Sequence, residues 1–187
     1  MATNFNDVLS EASTQRGKEK KVEELMQLVV FELDTEEYAI PIEDLREIIR
    51  IPEIAPVPNA PDFIRGILNL RGTIVVVIDL EKRLHLVRDQ IVPPSHIIIT
   101  DVDGSTFGVV VGKVVEVLRV PLGKIQSAPA LISSKIHAEY LKGVVVLERG
   151  EGANDASRLI ILLDLPKMLS NDALSRVETL VANASCN

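Results

Sequence analysis

Cysteine is nearly absent from the 187 residues: the single one, Cys186, stands next to the last position. One thiol excludes an intramolecular disulfide framework and a cysteine-rich metal site. Aromatic residues are scarce as well, at 3%, and tryptophan is missing. Core filling therefore falls to valine, isoleucine and leucine, and the β-branched share favours strands. Long apolar runs are lacking too. A stretch such as Ile74-Val75-Val76-Val77-Ile78 is far short of the ~18–20 residues a membrane-spanning helix needs. No charged start leads into an apolar segment, so a secretory leader is not expected and a cytosolic protein is the default. Positive charge is in deficit: 20 Lys+Arg against 27 Asp+Glu give a net charge of −7. That balance argues against nucleic acid as the main partner, because phosphate contacts need clustered Lys and Arg.

What is present is an ordinary globular balance, 47% apolar and 25% charged, in a chain long enough for one domain or two small ones. Residues 1–24 are polar and aperiodic and read as a disordered extension. Leu28-Val29-Val30-Phe31 begins a strand, Asp34-Thr35-Glu36-Glu37 turns it, and Tyr38-Ala39-Ile40-Pro41-Ile42 returns, which makes a hairpin. Pro41 cannot donate to a ladder and is expected at an edge or bulge. Asp44 to Arg50 suits a short helix and a twisted strand equally. Pro52, Pro56, Pro58 and Pro61 hold an extended loop. Phe63, Ile67 and Leu70 fall on one side of a helical turn, Arg71-Gly72 is a turn, and Thr73 to Leu80 is a buried strand. Glu81 to Leu84 starts a short helix, and Pro93-Pro94 reads as a joint. At the far end Leu165, Met168 and Leu169 precede Ser170 as a cap. Leu174, Val177, Leu180 and Val181 then recur at helical spacing, so residues 171–187 are expected to form a closing helix and tail packed on a barrel.

The second half echoes the first. At an offset of 69 residues, Tyr38 to Ile42 faces Phe107 to Val111, and Glu47-Ile48-Ile49-Arg50-Ile51-Pro52 faces Glu116-Val117-Leu118-Arg119-Val120-Pro121. Phe63-Ile64-Arg65-Gly66-Ile67 meets Tyr140-Leu141-Lys142-Gly143-Val144 at 77, and Ile78-Asp79-Leu80 meets Leu163-Asp164-Leu165 at 85. The order is kept and the offset grows only by insertion, which signals duplication. Each half holds about five short strands, and so small a sheet hides its edges by closing. The expected architecture is mainly β. Two small five-stranded barrels, about 28–92 and about 95–165, are related by a rough two-fold, with short helices beside them. The cleft between them is the natural place for a partner.

No catalytic constellation stands in the chain. His85, His96 and His137 lack ligand spacing, no phosphate loop or nucleophile elbow occurs, and Asp101-Val102-Asp103-Gly104 is better read as a hairpin turn than as a calcium loop. The feature that stands out is Asn69-Leu70-Arg71-Gly72 with Glu47 upstream. The second half reads Val146-Leu147-Glu148-Arg149 at that place, so the first copy is specialised. Arg71 is either a charge that pairs with Glu47 to fix the turn or a partner contact, since arginine is favoured at interface centres.

These strings resemble the CheW family of bacterial chemotaxis scaffolds. The resemblance runs through Phe31-Glu32-Leu33, Glu37 to Ile42 and Leu45-Arg46-Glu47-Ile48-Ile49-Arg50. It continues in Val57-Pro58-Asn59-Ala60-Pro61-Asp62-Phe63-Ile64-Arg65-Gly66, Ile67-Leu68-Asn69-Leu70-Arg71-Gly72 and Val77-Ile78-Asp79-Leu80. It covers roughly residues 27–170 and implies two barrels of Src-homology-3-like shape. It also implies a non-enzymatic adaptor without cofactor or metal. Such an adaptor couples the cytoplasmic tips of chemoreceptors to the regulatory domain of the histidine kinase CheA, in arrays at the inner face of the membrane. By match to the motif, Leu45, Glu47, Gly66, Asn69, Leu70 and Arg71 are receptor-side residues. Ile51, Ile54 and Val57 mark the kinase side. Gln126, Ala130 and Leu131 depart from the Arg, Glu and aromatic residue found in ring-forming members, which leaves the second kinase contact open. The alternative from another class is a small β-barrel that binds a ligand or nucleic acid. It would need a basic groove with exposed aromatics.

Overall fold

The computed structural model describes residues 23–86, 93–129, 136–147 and 157–170. The N-terminal extension through residue 22, the helix expected over 171–187, and Ala130 and Leu131 lie outside them.

Eleven strands are described: β1 (Leu25–Leu33), β2 (Glu36–Pro41), β3 (Glu47–Arg50), β4 (Ile64–Leu70), β5 (Thr73–Asp79), β6 (His96–Val102), β7 (Ser105–Val111), β8 (Val114–Pro121), β9 (Ile125–Gln126), β10 (Leu141–Leu147) and β11 (Arg158–Leu163). Short helices at Leu80–Arg83 and Leu165–Leu169 follow β5 and β11, each capped by an aspartate. Asp79 accepts from the Lys82 N–H and Asp164 from the Lys167 N–H, both at 3.2 Å. Left-handed residues serve the tight turns, as at Asp103 and Gly104 between β6 and β7.

The strands form two sheets, in the order β3-β6-β7-β5-β4 and β8-β1-β2-β11-β10-β9. The order corrects the expected division at 92/95. The opening hairpin β1–β2 belongs to the sheet of the second half, and β6–β7 belongs to that of the first. The duplicated halves have exchanged hairpins. Alternating apolar residues specify which face of a strand is buried but not which strand lies beside it, so the pattern fits either pairing. The two copies nevertheless correspond residue by residue. Glu47 opposite Ile99 in the first sheet matches Glu116 opposite Val30 in the second. The parallel pair Val76 and Phe107 matches Ile161 and Tyr38. The segment after β3 bridges to β4 through Ala55 and Ile67, the counterpart of Gln126 opposite Val144, and so brings the two ends of the sheet together.

Three further expectations are settled. Asp44 to Arg50 is a 3-10 turn at Ile42–Asp44 followed by strand. The expected helical turn from Phe63 to Leu70 is instead strand from Ile64 onward, with Phe63 in the turn before it. The register slips between Ile64 and Gly66, so Ile64 and Ile67 both face one core although three residues apart, and the bulge mimics helical spacing. Pro41 ends an interior strand rather than an edge; the pairing of β2 with β11 stops at Ala39, two residues before it.

Aliphatic residues fill each barrel: Leu68, Val75, Val77, Ile97, Ile99 and Val110 in the first, Leu28, Val30, Val145, Ile160 and Leu162 in the second. The largest core lies between the sheets, where Phe31, Tyr38 and Ile40 meet Val76, Ile78, Ile98 and Val109. The space between the barrels, expected as a cleft, is therefore packed, because the faces turned toward each other are as apolar as the interiors. Arg83 clasps this junction. Its guanidinium lies 4.9 Å from the Phe63 ring centre and 5.2 Å from that of Tyr140, and its Nη2 donates to the Met168 carbonyl at 3.0 Å. A buried guanidinium held by two rings and a carbonyl contributes more than a surface charge does. Arg83→Met keeps the bulk and loses these contacts, and is expected to lower unfolding free energy by about 2 kcal/mol in urea denaturation.

Tyr38 is buried against Phe31, and its hydroxyl donates to the Glu36 carboxylate at 2.8 Å. Burial first, and the Glu36 carboxylate second, hold this phenol above the usual tyrosine range. The folded state thus keeps a proton that the unfolded chain releases near pH ~10. The contribution is complete below that pH and is lost as pH rises beyond it. In an alkaline titration, Tyr38 phenolate absorbance is expected to appear together with loss of the folded signal, not before it; Tyr38→Phe removes that phase.

Candidate surface for a protein partner

The site is built on the hairpin β4–β5 and the edge strand β3. Arg71 (φ 52°) and Gly72 (φ 90°) both take the left-handed conformation of a two-residue hairpin turn. Asn69 Oδ1 accepts from the Gly72 N–H at 2.8 Å and fixes the turn from outside. The turn projects Arg71 toward Glu47, the first residue of β3, which is held in the ladder opposite Ile99. The guanidinium grips the carboxylate as a fork: Nη1 donates to Oε1 at 3.3 Å and Nη2 to Oε2 at 3.0 Å. The Arg71 side chain is 78% exposed and that of Glu47 only 23%. An ion pair this open adds at most about 1 kcal/mol to stability. Its larger effect is to hold a planar, charged fork at the surface in one orientation.

The other residues singled out by motif fall into different places. Leu45 is half-buried against the core between the sheets, and Leu70 against the core of the first barrel. Gly66 is buried at the bulge with φ +148°; a Cβ there would strike the Ala55 carbonyl and lie 2.7 Å from Ile54 Cγ2. Glu47 and Arg71 are thus brought together at the surface, with exposed Asn69 holding the turn, while Leu45, Gly66 and Leu70 lie in the packing, at two different cores and a bulge. Ile51 and Ile54 are half-buried against the first barrel's core, in the segment that bridges to β4 at Ala55, and Val57 is half-buried farther along.

Sequence reasoning missed two features. Ile48 and Ile74 are exposed on the first barrel, and Val117 and Leu159 stand exposed at the equivalent repeat positions of the second, with Val146 opposite Leu159. The offsets of 69 and 85 were enough to pair them. The second feature is Arg158, which binds both Glu37 and Glu116. Its Nη2 donates to Glu37 at 2.8 Å, its Nε also donates to Glu37, and its Nη1 donates to Glu116 at 2.5 Å. The Glu37 hydrogen bonds, with Glu116 adding to them, hold this guanidinium above its usual range. Glu116 is the repeat counterpart of Glu47, so each barrel pairs that glutamate with an arginine. In the first barrel the arginine sits on the hairpin tip; in the second it begins β11 and is 21% exposed.

Two interlocked barrels with an oriented ion pair on an open surface define a small all-β interaction module. The chain belongs to the CheW-like domain family, whose pattern matches residues 27–173. It is 32% identical over 162 residues to the chemotaxis protein CheW of Treponema pallidum, covering 84% of this chain and 90% of that one. Protein FrzA of Myxococcus xanthus is 30% identical over 130 residues, 70% of this chain and 76% of its own. The crystal structure of the scaffolding protein TtCheW from Thermoanaerobacter tengcongensis superposes with a TM-score of 0.67 at 28% identity, over 84% of this chain and 96% of that one.

Proposed function

We propose that this protein is a non-catalytic chemotaxis adaptor that works in the cytoplasm. It joins the cytoplasmic tip of a chemoreceptor to the regulatory domain of the histidine kinase CheA. Family membership and relatives named as chemotaxis and scaffolding proteins support the adaptor role. The observation that carries the receptor assignment is the Arg71–Glu47 fork, held rigidly by the β4–β5 turn and β3 yet open to solvent on the arginine side. A helical receptor tip with polar and acidic side chains offers partners to such a fork. In this reading the kinase meets the first barrel along Ile51, Ile54 and Val57, and their half-buried aliphatic side chains support an apolar anchor there. The described rings also fit this reading better than base stacking. Phe31, Tyr38, Phe107 and Tyr140 are buried, and Phe63 is half-buried.

Isothermal titration of the full chain, separately with a receptor-tip fragment and with the kinase regulatory domain, tests the reading. Saturable 1:1 binding of both is expected. Failure of the intact protein to bind either one overturns the assignment.

A further inference from the structure

From the Asp44–Lys142 contact we infer that Lys142, on the second barrel, is a positioning residue for the Glu47–Arg71 surface on the first. Glu47 opens a strand of four residues that pairs with β6 alone and sits at the end of its sheet. Its position depends on how the chain enters from the 3-10 turn at Ile42–Asp44. The turn closes on itself through the Leu45 N–H, which donates to the Ile42 carbonyl at 3.1 Å, and the Arg46 N–H ties it to the first barrel by donating to the Ile99 carbonyl at 2.8 Å. The Thr100 hydroxyl adds a bond to the Asp44 carbonyl at 2.6 Å. The Asp44 carboxylate points the other way. Its Oδ2 accepts from Lys142 Nζ at 3.2 Å, with the side chains 16% and 29% exposed. Lys142 stands on β10, next to the bulge at Gly143. Three residues before Glu47 the chain is therefore tied to both barrels at one residue.

The duplication shows that this strut is a particular feature of the first copy. The repeat counterpart of Asp44 is Lys113 and that of Lys142 is Arg65. Two cations cannot form the bond. The strut thus occurs only in the copy whose arginine sits on the exposed hairpin tip. With its lysine side chain 29% exposed against 78% for Arg71, this pair is less open to screening by solvent than the fork.

This inference rests on the reading of Glu47 and Arg71 as the receptor surface, and the experiment separates the two. Four full-length proteins are compared: wild type, Lys142→Met, the exchange Asp44→Lys with Lys142→Asp, and Arg71→Glu. Each is titrated with the receptor-tip fragment and the kinase regulatory domain, and hydrogen exchange of the Arg46 amide is measured in the free protein. Lys142→Met is expected to lower receptor affinity about threefold or more, as coupled neighbours do. It should leave kinase affinity unchanged and speed Arg46 exchange several-fold. The exchange variant should recover both properties, which a merely stabilising role for the lysine would not predict. Wild-type receptor affinity or wild-type Arg46 exchange in Lys142→Met, or no recovery in the exchange variant, overturns the strut. If Arg71→Glu leaves receptor affinity intact, the receptor reading falls instead, and the strut stands or falls on the Arg46 amide alone.

Discussion

Arg71→Glu is expected to weaken receptor-tip binding by about thirtyfold or more while changing kinase affinity less than twofold. The magnitude is that of a central interface arginine, about 2 kcal/mol or above. Reversal also replaces the fork's donors by an acceptor and turns the new side chain away from Glu47, so the charge and the orientation offered to the receptor are both lost. Folding should hardly be affected. The pair is open, Asn69 continues to hold the turn through the Gly72 N–H, and Gly72 keeps its left-handed conformation. Titration with both partners checks the selectivity. Equal losses for receptor and kinase would mean that the first barrel had unfolded, and unchanged receptor affinity would remove Arg71 from the surface.

Gly66→Ala is expected to have the largest effect on stability, about 4 kcal/mol. A left-handed backbone with a side chain costs about 1–3 kcal/mol, and overpacking costs a similar amount. At Gly66 both apply: φ is +148°, and the added Cβ runs into the Ala55 carbonyl and Ile54. The Ala55 carbonyl, the nearest neighbour, is held in place because Ala55 is bonded to Ile67 in both directions, at 2.9 and 2.8 Å. Gly72→Ala is the internal control. Its φ is +90° but nothing lies within 4 Å of the new Cβ, so only the backbone term of about 1 kcal/mol remains. Thermal melts of the two variants should differ by several degrees, with Gly66→Ala the lower. Similar melting temperatures would show that Ala55 and Ile54 give way. Gly66→Ala should also reduce binding of both partners together, in contrast to Arg71→Glu.

Much of this was legible in the residues. The duplication was visible because glycine, aspartate and glutamate recur at its offsets, and these residues have fixed duties: Gly66 and Gly143 at bulges, Asp79 and Asp164 as helix caps, Glu47 and Glu116 at arginines. The Arg71-Gly72 turn was legible because few residues accept its dihedrals. The exchange of hairpins was not, because β1–β2 and β6–β7 have equivalent apolar patterns and either copy could receive either hairpin. The strand β4 was hidden by its own bulge, which puts Ile64 and Ile67 on one face. The packed junction between barrels was not legible either. Val76 and Ile78 read only as part of a buried strand, and the sequence does not say that another sheet is what buries them. Lys142 gave no signal at all, since its partner is 98 residues away and in the other copy.

The proposed adaptor has to hold receptor and kinase at the same time. Size-exclusion chromatography with light scattering, on the full chain mixed with a receptor-tip fragment and the kinase regulatory domain, tests it most directly. A single species containing all three is expected, formed only when this protein is present and lost with Arg71→Glu, which retains the kinase alone. Two binary complexes that compete for the protein and never form a ternary one would contradict it.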